Sequence, residues 1–115
     1  MSINQKIEQA LSDIVKNIWP LKCPIETPPD CYIVYNPEIE RPGYYADDED
    51  QEWIQNMQIQ LFMKGNYTKL RKEIRSTLKR KGFVVTGIET MLEKETGYYH
   101  LCFECYDEEG QECLM

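Results

Sequence analysis

The sequence predicts an α+β fold, a two-layer sandwich of two helices on one face of a four-stranded antiparallel sheet, in the order α-β-β-α-β-β. Two stretches repeat apolar residues at spacings of three and four, the period of a helix with one buried stripe. Other stretches alternate apolar and polar residues, the period of a strand with one buried face. Helices and strands that are each apolar on one side bury those sides most economically against one another. With 115 residues the chain supports a single core. One domain is expected over residues 1–106, followed by an acidic tail at 107–115.

The first helix follows from Ile3, Ile7, Ala10, Leu11, Ile14, Val15 and Ile18, which fall on one stripe. Ser2 and Gln5 have the spacing of a capping box, which starts the helix at residue 2 or 3. Trp19-Pro20 ends it, because proline disfavours helical geometry in the residue before it. Four prolines between residues 20 and 30 predict a stiff, extended connection.

Cys31-Tyr-Ile-Val-Tyr35 is aromatic and β-branched, a strand by composition. Residues 36–52 carry seven acids against Arg41, together with Pro37, Pro42 and Gly43, and read as an exposed loop or long hairpin arm. From Trp53 to Met63 the pattern alternates. Trp53, Met57, Ile59, Leu61 and Met63 share a dry face, opposite Asn56, Gln58 and Gln60 on a wet one, with Ile54 and Phe62 near its ends.

Gly65-Asn66 breaks this strand, and Asn66 can cap the next helix. Tyr67, Leu70, Ile74, Thr77 and Leu78 line its apolar side, and Gly82 is placed to end it. Phe83-Val-Val-Thr-Gly-Ile88 begins the third strand, which a bulge at Gly87 would let continue to about Leu92. Residues 93–97 turn, and Tyr98–Tyr106 is the fourth strand, with Tyr99, Leu101, Phe103 and Cys105 on one face. The predicted core is Ile7, Leu11, Ile14, Ile59, Leu61, Leu70, Ile74, Leu78, Val85, Leu101 and Phe103.

Charge is unevenly placed. Eight of the thirteen basic residues lie between Lys64 and Lys81, opposed there only by Glu73. That segment carries +7 and the remainder −14, which together make the net charge of −7. Such separation suits a subunit whose positive face meets a neighbour's negative face. The interface residues expected on this ground are Lys69, Lys72, Arg75 and Lys79 on the helix, and Asp47, Asp48, Glu49 and Asp50 in the acidic stretch. Tyr44 and Tyr45 beside the acids are candidate anchors, since aromatics contribute large contact area at small entropic cost. The same helix could instead track phosphates. Net acidity and the absence of interleaved aromatics weigh against that use.

Chemistry has little to build on. His100 is the single histidine, and no serine sits in a nucleophile elbow. His100-x-Cys102-x-x-Cys105 resembles half a zinc site, but positions three apart in a strand point to opposite faces. The run Asp47–Asp50 lacks the glycine and terminal glutamate of a calcium loop. No enzyme, metal or cofactor is expected. Five cysteines without a secretory signal predict reduced thiols, and no apolar run approaches the roughly 18 residues of a membrane span. Synthesis in the cytoplasm, with no membrane partner, is the expectation.

Several segments follow one another in a characteristic order: Tyr32-Ile-Val-Tyr35, Tyr45-Ala-Asp-Asp-Glu49, Gln58-Ile-Gln-Leu-Phe-Met-Lys-Gly-Asn-Tyr-Thr-Lys-Leu70, Lys81-Gly-Phe83 and Glu95-Thr-Gly-Tyr-Tyr-His-Leu-Cys-Phe-Glu104. Over residues 1–106 the chain resembles the tail-terminator (tail-completion, head–tail joining) proteins of long-tailed phages and prophages. The resemblance implies a structural virion protein that closes the head-proximal end of the tail tube as a homomeric ring, usually of six subunits. It implies the tail-tube protein and the head-closure connector as partners, and DNA passing through the ring. It also implies host cytoplasm during assembly, then the virion. A small prophage accessory domain that contacts nucleic acid through residues 64–81 is the alternative.

Overall fold

The computed structural model describes residues 2–37, 41–42 and 53–108. Helix α1 spans Ile3–Leu11, and its start is the capping box expected from the sequence. Gln5 donates its backbone N–H to Ser2 Oγ at 3.2 Å, and Ser2 returns its own to Gln5 Oε1 at 3.0 Å. The helix is shorter than its apolar stripe predicts. It ends at Leu11, and residues 12–14 turn. Asp13 and Asn17 belong to the types whose short polar side chains compete with helical hydrogen bonding. Asn17 uses that capacity on a distant strand, donating its side-chain amide to the Cys31 carbonyl at 3.3 Å. Its own carbonyl accepts from Ile33 N–H at 2.8 Å.

Those bonds open strand β1, Ile18–Pro20, which runs parallel to β2, Cys31–Pro37. The expected four-stranded antiparallel sheet is thus corrected to a five-stranded mixed sheet, in the order β1-β2-β5-β7-β6. The other members are β5 (Asn56–Met63), β6 (Phe83–Leu92) and β7 (Tyr99–Asp107), and their pairings are antiparallel. Two short strands, β3 (Arg41–Pro42) and β4 (Trp53–Ile54), pair with each other apart from the main sheet. The single strand expected over Trp53–Met63 is therefore divided at Gln55. In chain order the elements are α1, β1, β2, β3, β4, β5, α2, β6 and β7, so the α-β-β-α-β-β order holds only when β1, β3 and β4 are set aside.

Helix α2 spans Thr68–Arg80. Asn66 Oδ1 accepts from Thr68 N–H at 3.0 Å and satisfies one of the helix's orphan donors. Gly82 follows the C-cap at φ 92°, a left-handed conformation that costs glycine little. The bulge in β6 lies between Val85 and Gly87, where the register to β7 shifts.

Both helices bury their stripes on one face of the sheet. Ile7 and Leu11 from α1 and Ile74 and Leu78 from α2 meet Ile33, Tyr35, Met57, Ile59, Leu61, Leu101, Phe103 and Cys105 in one cluster. Of the core residues expected from the sequence, Ile14, Leu70 and Val85 are half-buried against that cluster, and the others are buried in it. Tyr35 donates its phenolic hydrogen to Glu8 across the layer, and burial together with that carboxylate raises its pKa. Lys6 pairs with the buried Asp107 at 2.8 Å and ties α1 to the end of β7.

The opposite face is not simply wet, which corrects the expectation for β5. Tyr32, Val34 and Tyr98 are buried there, with Trp19, Cys23 and Phe62 packed around them. Tyr98 donates its hydroxyl hydrogen to the Pro29 carbonyl at 2.8 Å, anchoring the proline-rich connection. Tyr98→Phe is expected to lower stability by about 1 kcal/mol, the net value of one hydrogen bond, in urea unfolding. No helix among the described residues is long and apolar enough to cross a membrane.

Candidate functional site: a basic helix face and the sheet edge beside it

Burial of Ile74, Thr77 and Leu78 turns the opposite side of α2 to solvent. Lys69, Lys72, Arg75 and Lys79 are all exposed there. Their spacings of three and four place them in one row along the helix. Like charges at such spacings oppose helix formation by a few tenths of a kcal/mol per pair. Lys69 also stands in the first turn, where the helix dipole disfavours a cation and where no acid is present. Lys79, in the last turn, is favoured by the dipole, but local helix stability does not account for Lys69, Lys72 and Arg75.

Among the described residues the row is scarcely neutralised. Lys69 lies 3.9 Å from Glu73 one turn on, a surface pair worth little. Lys72, Arg75 and Lys79 have no carboxylate within ion-pair distance among the described residues. Lys64, at the start of the basic segment, is used otherwise: it sits 4.8 Å from the Tyr98 ring centroid and 4.0 Å from Asp30.

Beside the row is an open groove of about 450 Å³, lined by Arg75 and Lys79 from α2, by Gly82, Phe83, Val84 and Val85, and by Glu108. Its floor is the start of β6, an edge strand of the sheet among the described residues. The groove is thus a trough between a cationic helix and a strand edge. It can accept an anionic segment of chain.

The acidic half of the expected interface, Tyr44, Tyr45, Asp47, Asp48, Glu49 and Asp50, lies outside the described residues. The stretch that contains it is bounded by paired strands, with Pro42 opposite Trp53 and Arg41 opposite Ile54. Its two ends are held side by side, as a hairpin arm requires.

The cysteine and histidine positions do not converge. Cys105 is fully buried in the core beneath the helices. His100 belongs to the other face, where its ring stacks on Phe62 at 4.3 Å and Nε2 lies 2.8 Å from Gln60 Oε1. Cys102 pairs in register with Gln60 on that same face. Burial lowers the His100 pKa, opposed in part by Glu93 and Glu89. The neutral ring is therefore favoured on folding, and the unfolded chain takes up the proton more readily below the ordinary value of 6.5. Stability should fall as pH drops through that value. His100→Gln should flatten the difference in unfolding midpoint between about pH 7.5 and about pH 5.5.

The aromatic group around His100 was missed by sequence reasoning. Tyr32 stacks on Phe62 at 4.8 Å, and Trp19 and Tyr98 lie against Tyr32. A signal was present: Cys31–Tyr35 is apolar without alternation, as in a strand covered on both faces. Tyr32, Phe62 and His100 spend their ring faces on one another, the opposite of an open platform for stacking nucleobases.

No protein-family model matches the chain, and comparison with curated proteins finds no match.

Proposed function

We propose that this chain is a structural subunit of a phage or prophage virion, a tail terminator that caps the head-proximal end of the tail tube as a homomeric ring and joins tail to head. It acts by assembly, without catalysis, and its partners are further copies of itself, the tail-tube protein and the head-closure connector. The observation that carries the reading is the row Lys72, Arg75 and Lys79, without an ion-pair partner among the described residues, on a chain that is otherwise strongly acidic. Segregated charge of this kind costs self-repulsion within one copy and gives directed attraction between copies. The resemblance to tail terminators supplies the closed ring, and head-to-tail contacts between unlike surfaces close into rings when the rotation permits.

Such contacts are screened beyond about 10 Å at 0.1 M salt. Sedimentation of the purified chain should show a discrete oligomer near 50 mM salt, shifting toward monomer by about 500 mM. A monomer at both salt concentrations would overturn the self-assembly reading.

The same row supports a second reading, contact with nucleic acid by an accessory domain. It predicts DNA affinity that falls steeply with salt, by roughly one power of salt concentration per phosphate contact. Tight DNA binding by a monomer would favour it.

A further inference from the structure

The two edges of the main sheet differ. On one side β1 is three residues long and ends at Pro20, which has no N–H to offer an incoming strand. On the other, β6 runs for ten residues and is paired only with β7 among the described residues. It contains no lysine or proline, its one charged residue is the exposed Glu89, and Met91 and Leu92 near its end are 45% and 50% exposed. Long edges are ordinarily blunted by such residues or covered. The bulge between Val85 and Gly87 interrupts this edge without closing it. Its first residues, Phe83–Val85, form the floor of the groove beneath Arg75 and Lys79.

We propose that the groove between α2 and the outer edge of β6 receives the acidic stretch 47–52 of a second copy of this chain as an added β-strand. The inference rests on the assembly reading above and gives it a contact geometry. Backbone pairing along β6 would supply the affinity and side chains on alternate positions the specificity. The stretch offers Asp47, Asp48, Glu49, Asp50 and Glu52. In an extended strand, Asp48, Asp50 and Glu52 share one face and Asp47 and Glu49 the other. Either register therefore turns at least two carboxylates toward the helix, neighbours about 6.7 Å apart. Arg75 and Lys79 stand one turn apart, about 6 Å along the helix axis. The two spacings match, so both cations can be answered by one extended segment.

Pairing of β6 with β6 of a second copy fits less well. It would bring two cationic α2 rows toward each other, with a single Glu108 in each groove against the two cations Arg75 and Lys79. Glu108 lines the groove as well and would be displaced toward solvent by an incoming acidic strand.

The test uses the full chain with Asp47, Asp48, Glu49 and Asp50 each changed to asparagine or glutamine, so that it can receive but not donate. The probe is a synthetic peptide of residues 43–52. Hydrogen exchange of the Phe83–Leu92 amides should slow roughly tenfold or more at saturating peptide, while β1 and β2 exchange as before. Arg75→Glu with Lys79→Glu in the same chain should abolish the protection, as should a peptide with its acids neutralised. If the peptide binds without protecting β6, or protects it equally after the helix reversal, the inference is overturned. Rings formed by the wild-type chain with unprotected β6 amides would sink the strand addition and leave the assembly reading standing. Peptide protection of β6 in a chain that never assembles would support the groove and sink the ring.

Discussion

Phe103→Ala should lower the stability of the folded chain by about 3–5 kcal/mol, the largest effect expected of any single substitution here. Phe103 is fully buried on β7, paired with Ile59 of β5 on one side and Ile88 of β6 on the other. Its ring lies under both helices in the main cluster, so removing it leaves a void that two rigid layers cannot close. Leu61→Ala, two pairs further along β5 and β7, should cost about 2–5 kcal/mol for the same reason. Domains of this size are stable by only about 5–15 kcal/mol, so either loss should be plain in urea unfolding. Met91→Ala, at an exposed position on β6, is the control and should stay within about 0.5 kcal/mol. A Phe103→Ala chain as stable as the parent would show that the sandwich core lies elsewhere.

The second large effect concerns assembly. Reversing Arg75 and Lys79 to glutamate should abolish the oligomer while leaving the chain folded, because both side chains are exposed and α2 keeps its buried stripe. Like charges then face the acidic stretch, a repulsion that can cost several kcal/mol per contact. Changing Asp47, Asp48, Glu49 and Asp50 to lysine in the same chain, which reverses both faces of the added strand, should restore part of the association, the mark of direct pairing in a double-mutant cycle. Circular dichroism checks the fold and sedimentation the assembly. If the helix reversal leaves assembly intact, the subunits meet through other surfaces.

What was legible in the sequence was mostly local. The Ser2–Gln5 capping box, the bond from Thr68 N–H to Asn66 just before the N-cap Tyr67, Gly82 after α2 and the bulge before Gly87 each depend on a few neighbouring residues and a fixed backbone requirement. The alternation of Met57, Ile59 and Leu61 was enough to assign the core face of β5. The segment 12–20 was misread because its cause is distant. Ile14, Val15 and Ile18 satisfy a helical stripe, yet a turn and a short strand serve equally to bury Val15 and Ile18. The choice is made by Asn17 bonding to Cys31 and Ile33, sixteen residues or fewer away in sequence but on another strand. The division at Gln55 likewise depends on pairing with the strand before it and not on composition. Of the candidate site, the row on α2 was readable from spacing and charge. The groove beside it was not, because it exists only once β6 becomes the outer strand.

Imaging of the wild-type protein mixed with tail tubes at low salt addresses the central claim most directly. The account expects closed rings of uniform size, each seated on one end of a tube and dispersed by salt. Bare tube ends together with a chain that remains monomeric at every ionic strength would contradict it.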